Sequence, residues 1–108
     1  IMGGVAQGLG QACGEYAIYD EETGQLLTAT FMDYPMPRAD WTPDIEFRYQ
    51  EVPSPANPLG IKGAGEAGTV GAAPAYINAL VDALSVRGID HLDMPATPHS
   101  IWRLLHSN

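Results

Sequence analysis

The sequence predicts a small α+β fold: a glycine-rich helix, a three-stranded antiparallel sheet and two C-terminal helices, in that order. Three observations predict it, namely helical spacing of apolar residues at the start, alternation of apolar and polar residues in the middle, and two capped helical stretches near the end. A length of 108 residues allows one small hydrophobic core. With 12 glycines and 9 prolines, the chain should contain many tight turns and loops.

The first predicted element is an amphipathic helix over residues 2–13. Met2, Val5 and Leu9 recur at helical spacing, and Gly14 is a suitable C-terminal stop. Each glycine inside a helix costs about 1 kcal/mol relative to alanine. Four lie here: Gly3, Gly4, Gly8 and Gly10. The helix therefore needs tertiary packing, and its glycines would allow another backbone or a ligand to approach closely.

Three strands are predicted next. Residues 15–20 and 25–32 are rich in strand-forming residues and flank the turn sequence Glu-Glu-Thr-Gly, which indicates a hairpin. Residues 44–52 alternate between apolar and polar side chains, as a half-buried strand does. Prolines make residues 33–43 an extended loop and end the third strand after residue 52.

A glycine-rich loop is predicted over residues 59–72. Pro74 suits the first turn of a helix that runs to about Arg87 and is ended by Gly88. A last helix is predicted from Thr97, an N-cap residue followed by proline.

The charge and cysteine content exclude several classes of function. The formal net charge is −8 and no basic stripe is present, so we expect no nucleic-acid partner. No apolar run reaches about 20 residues and no signal-peptide pattern opens the chain, so no membrane span and a cytoplasmic location are expected. Cys13 is the only cysteine, which excludes an internal disulfide, and its place on the apolar stripe predicts a packed, inert thiol.

No metal site is predicted within this chain. Three histidines are present, His91, His99 and His106, but none forms an i, i+4 pair and no second cysteine accompanies them. His106, near the end of the last predicted helix, suits a helix C-terminus.

Glu66 is the most distinctive acidic residue because small residues surround it on both sides. A carboxylate in a glycine loop can act as a general base while backbone amides face a ligand. The alternative is a solvated acid that favours the dipole of the following helix. The spacing from Gly63 to Gly68 also fits the G-x-G-x-x-G motif of dinucleotide-binding proteins, but a poor strand precedes it and the carboxylate would repel a pyrophosphate.

Four blocks of sequence carry a family resemblance. They are GVAQGLGQA at residues 4–12, FMDYPMPRA at 31–39, NPLGIKGAGEAG at 57–68 and MPATP at 94–98. In this order they resemble the C-terminal end of a molybdenum hydroxylase large subunit, in the carbon monoxide dehydrogenase-like branch of the xanthine dehydrogenase and aldehyde oxidase family. The resemblance implies that residues 1–108 are a single C-terminal fragment of the molybdopterin-binding domain.

The resemblance also implies an activity and a site. Enzymes of this family hydroxylate a carbon centre of an aldehyde, an N-heterocycle or carbon monoxide with water as the oxygen source. A glutamate in their Gly-x-Gly-Glu loop acts as the general base on the molybdenum-bound hydroxyl, and Glu66 matches it. Gly63 and Gly65 are the expected cofactor-proximal residues, with Gln7 as a further one. The implied cofactor is molybdenum-molybdopterin in its dinucleotide form, bound by the full-length protein and not by the fragment alone.

Partners follow from the same resemblance. They are the rest of the large subunit and iron–sulfur and FAD subunits or domains, in a homo- or hetero-oligomer, while the isolated fragment is expected to be inactive. The alternative is a non-catalytic assembly or binding module that keeps the family pattern. Its glycine-rich helix and loop would then pack against a partner chain.

Overall fold

The structure is a computed structural model that describes residues 1–107 and is built from three α-helices. Two single turns of 3₁₀-helix accompany them, Ala39–Trp41 and Ser85–Arg87. The α-helices are α1, Met2–Cys13; α2, Ala67–Leu84; and α3, Pro98–His106. Long irregular segments connect them.

Helix α1 has the predicted bounds. It ends at Gly14, whose N–H donates to the carbonyl of Gly10 at 3.0 Å. The predicted glycine-rich helix is thus confirmed despite the low helix propensity of its glycines, and the reason is its packing against α2.

The crossing of α1 and α2 depends on small residues. A Cβ atom at Gly8 would lie 2.6 Å from the Cβ of Ala72, and one at Gly68 would overlap the carbonyl oxygen of Ile1. The Thr69 hydroxyl donates to the carbonyl of Gly4 at 3.1 Å and links the two backbones. Gly8, Gly68 and Ala72 are accordingly buried. The glycines therefore permit an approach that any larger side chain would block.

Helix α2 begins earlier than predicted. It starts at Ala67, so the prediction of a loop as far as residue 72 is wrong for its last six residues. Pro74 lies inside the helix instead of in its first turn and leaves the carbonyl of Val70 without its usual i+4 donor. The predicted end is confirmed, because the chain leaves the helix at Gly88 with φ of 74°.

The predicted α+β fold is wrong, because no strand and no sheet form among residues 1–107. The hairpin shrinks to one isolated antiparallel bridge between Tyr19 and Leu26. Its turn is where the sequence placed it, with the Gly24 N–H donating to the Asp20 carbonyl at 2.9 Å and Gly24 at φ of 71°. Two strands of this length need a third strand or a packed face to persist.

The third predicted strand, residues 44–52, is likewise not part of a sheet. It is irregular, and among the described residues no backbone hydrogen bond reaches residues 43–53. The alternating side chains are present, but no strand lies beside this segment within residues 1–107 to pair with its backbone.

Helix α3 is capped as predicted. The Thr97 hydroxyl accepts a hydrogen bond from the backbone N–H of Ser100 at 3.1 Å, and Pro98 occupies the first turn. The two predicted C-terminal helices, α2 and α3, are therefore both present.

The chain buries little of its apolar surface on itself. Its buried apolar residues are Ala12, Ala72, Leu92 and Ala96, and no large side chain in residues 1–107 is fully buried. The radius of gyration is 17.9 Å, against about 13 Å for a compact domain of this length. The accessible surface is 8551 Å², against about 5,800 Å² for a folded monomer of this mass. Much of the apolar surface therefore remains exposed.

The helical stretch Ala67–Arg87 is long and apolar enough to cross a membrane, judged by length and composition alone. A core helix of a soluble protein passes the same test. The expectation that the chain has no membrane span therefore stays a prediction.

Candidate functional site

Glu66 lies at the N-cap position of α2. Its backbone carbonyl accepts hydrogen bonds from the N–H groups of Thr69 at 3.0 Å and Val70 at 3.1 Å. Its side chain caps nothing, and among residues 1–107 it has neither a hydrogen bond nor an ion pair. The carboxylate is exposed and thus available to a ligand.

An open groove of about 390 Å³ runs beside Glu66, between α1 and the start of α2. Its lining is Gln7, Gln11, Gly65, Glu66, Thr69, Val70 and Ala73. Three of the four predicted site residues therefore meet in one concavity: Gln7, Gly65 and Glu66. The fourth, Gly63, lies in the exposed approach to α2 and does not line the groove.

Contacts within the chain do not explain the glycines at positions 63 and 65. A Cβ atom at either position would meet no described atom within 4 Å, and neither residue has positive φ. Gly60 differs, because its φ of 65° favours glycine by itself. Space is thus left open beside the Gly65 backbone, on the side of the chain that carries Glu66.

Four lining residues were not predicted from the sequence, and two of them are polar, Gln11 and Thr69. Gln11 follows Gln7 by four residues, so both carboxamides project from the same face of α1. That spacing was the signal that could have found Gln11. Thr69 is recognisable only from the fold, because its hydroxyl fixes the start of α2 to the Gly4 carbonyl of α1.

The histidines lie elsewhere. His91 and His99 line a larger open groove of about 680 Å³ that contains none of the predicted site residues. His106 and His99 each stack with Trp102, at ring-centroid distances of 4.6 and 6.4 Å. Among residues 1–107, no group of three or more histidine, cysteine, aspartate or glutamate side chains is placed to hold a metal ion.

Cys13 is a half-buried thiol that donates to the carbonyl of Leu9 at 2.9 Å. Burial raises the pKa of this thiol, the charge of Glu15 raises it further, and a hydrogen bond with Tyr76 acts in the opposite direction. The thiolate is the reactive form of cysteine. A smaller thiolate fraction than usual is therefore expected near pH 8.

We expect Cys13 to react slowly with an aromatic disulfide reagent at pH 8. The reaction should become faster as the pH rises above the ordinary pKa of a cysteine thiol. The measurement is the labelling rate of the folded protein between pH 7 and pH 10, compared with the same protein in urea. Equal rates in both states would contradict protection by burial.

Comparison with known proteins identifies related sequences. The profile of the family described as molybdopterin cofactor-binding domain matches residues 1–43. The chain is 41% identical, over 97% of its length, to the carbon monoxide dehydrogenase large chain of Hydrogenophaga pseudoflava. It is 43% identical, over 95% of its length, to the nicotine 6-hydroxylase large subunit of Paenarthrobacter nicotinovorans.

The fold agrees with this relationship. All of the chain superimposes on quinoline 2-oxidoreductase from Pseudomonas putida 86, with a TM-score of 0.91 and 42% identity. The chain spans only 13% and 12% of the two sequence relatives and 14% of the quinoline 2-oxidoreductase chain. Sequence and fold agree over nearly the whole chain, so the resemblance to a molybdenum hydroxylase large subunit that the motifs predicted is confirmed.

Proposed function

We propose that the protein is part of a molybdopterin-dependent oxidoreductase that hydroxylates a carbon centre with water as the oxygen source, and that Glu66 is its general base. The observation that carries this proposal is the position of Glu66: an unpaired, exposed carboxylate at the mouth of a groove that it shares with Gly65 and Gln7. Carbon monoxide dehydrogenase, nicotine 6-hydroxylase and quinoline 2-oxidoreductase support the reaction class.

The groove fits one edge of a cofactor and not the whole of it. Its volume falls in the range of small-molecule sites, about 300–1,000 Å³, but it is open on one side. No lysine or arginine lines it, so the charge of a pyrophosphate would have to be neutralised by polypeptide outside these residues. We further propose that the full-length protein binds the dinucleotide form of the cofactor and that residues 1–108 alone are inactive.

Each of the four predicted site residues has a role in this proposal. When bound, the molybdenum cofactor would supply an acidic oxygen nucleophile and accept the two electrons released by the substrate. The Glu66 carboxylate oxygens accept the proton that this nucleophile loses as it attacks the carbon. Gly65 lets the ligand approach the backbone, Gln7 donates a hydrogen bond from its carboxamide, and Gly63 lies on the approach to the groove.

The wider assembly is part of the proposal as well. Both sequence relatives are named as the large component of a larger enzyme. We expect iron–sulfur and FAD subunits or domains to take the electrons onward, in a cytoplasmic oligomer.

The reaction class is tested by tracing the product oxygen. The full-length enzyme is incubated in ¹⁸O-labelled water with a panel of carbon monoxide, nicotine, quinoline and an aromatic aldehyde, together with an artificial electron acceptor. We expect one oxygen atom from water in the product of the substrate that turns over. Oxygen taken from O₂, or turnover without bound molybdenum, would contradict the proposal.

A further inference from the structure

The strand-like segment, residues 44–52, has the side-chain arrangement of a β-strand, yet its aromatic side chains are exposed. Its side chains alternate as they do in a strand: the rings of Phe47 and Tyr49 stack on one side at 6.0 Å between centroids. On the other side the Arg48 guanidinium donates to the Glu46 carboxylate, with Nε at 2.9 Å. Such i, i+2 pairs on opposite sides require an extended backbone.

The apolar side of this segment is left uncovered by the chain itself. Phe47 is 57% exposed and Tyr49 74%. The backbone is uncovered too, since no backbone hydrogen bond within residues 1–107 involves residues 43–53. If the aromatic side were buried in an apolar groove, the backbone N–H and C=O groups of the segment would lose water without gaining other hydrogen-bond partners. That loss has a high cost in free energy.

Another β-strand is the partner that satisfies both features together. Its backbone would pair with the uncovered N–H and C=O groups, and its side chains on the same face would pack beside Phe47 and Tyr49. Nine extended residues span about 30 Å, longer than an average strand, and Pro43 and Pro53 mark the limits of the segment. Because the segment is already extended, little conformational entropy remains to be lost on pairing.

We propose that residues 44–52 bind the edge of a β-sheet supplied by the rest of the large subunit. The source follows from size, since the relatives are about seven to eight times longer than this chain and are themselves large subunits. The partner strand would therefore come from large-subunit polypeptide other than residues 1–108. The inference does not depend on the role of Glu66.

Hydrogen exchange of the full-length large subunit, purified without its other subunits, tests the pairing. We expect every second amide in residues 44–52 to exchange at least about 100-fold more slowly than an unstructured peptide of the same sequence, because only alternate N–H groups face one neighbouring strand. Unprotected amides, or uniform protection without alternation, would overturn the proposal. Protection that arises only after an iron–sulfur or FAD subunit is added would overturn the assignment to the large subunit.

A pair of substitutions tests the orientation of the segment. Phe47→Asp places a charge on the apolar side, beside the same-face side chains of the neighbouring strand, and should abolish the alternating protection. Gln50→Asp places the same side chain on the opposite side and should leave the protection unchanged. An equal effect of the two substitutions would contradict the proposed orientation.

Discussion

Replacing Glu66 by glutamine in the full-length large subunit should lower turnover by about 10²–10⁴-fold, the usual contribution of general base catalysis. Glutamine keeps the size and shape of the side chain but cannot accept a proton. Because Glu66 has no ion pair or hydrogen bond within residues 1–107, its loss should not disturb the fold of α2. The measurements are turnover at saturating substrate and molybdenum content per subunit.

The matched control for this substitution is Glu22→Gln. Glu22 is also an exposed acidic residue in a turn. It lies just before Gly24, outside the groove that Glu66 lines. We expect the control to retain full turnover. If Glu66→Gln retains its molybdenum and its turnover stays within about tenfold of the unmodified enzyme, the general-base role is wrong.

Replacing Gly8 by valine should force α1 and α2 apart. The new Cβ would lie 2.6 Å from the Cβ of Ala72, well inside van der Waals contact, and the nearby carbonyl of Thr69 leaves no room to shift. Overpacking of this kind costs about 1–3 kcal/mol. We expect faster hydrogen exchange along both helices and a lower yield of folded large subunit. Molybdenum content should also fall, because the groove between the helices would change shape.

Gly3→Val is the control on the same helix. A Cβ at Gly3 meets no described atom within 4 Å, and valine has the same modest effect on helix propensity at both positions. We expect Gly3→Val to leave the exchange of α2 unchanged. Equal effects of the two substitutions would show that close packing at Gly8 is not what holds the helices together.

The helices were predictable because their signals are local. Gly14 ends α1, Gly88 ends the helical stretch after α2, and Thr97 caps α3, each through backbone or side-chain chemistry contained in a few neighbouring residues. The start of α2 was misplaced because Gly68 and Gly71 suggested a loop. The helix begins before them, since Gly68 packs against α1, and that contact cannot be seen from local sequence.

The sheet could not be predicted correctly because a strand is defined by its partner. Residues 44–52 have the composition and alternation of a strand, but alternation does not say whether another strand lies within reach. The same distinction applies to the site. Family motifs identified Glu66, Gly65 and Gln7, and their meeting in one groove depends on the crossing of α1 with α2. Gln11 was missed although its four-residue spacing from Gln7 places both side chains on one face of α1.

The exposed apolar side chains of this chain have a consequence for biosynthesis. Phe31, Met32, Leu59 and Val86 are each more than four fifths exposed. While a newly synthesised subunit is still assembling, such side chains are the features that molecular chaperones bind and that promote aggregation at high expression. Poor recovery from overproducing cells is therefore expected to improve with slower synthesis at low temperature, without any change in amino acids.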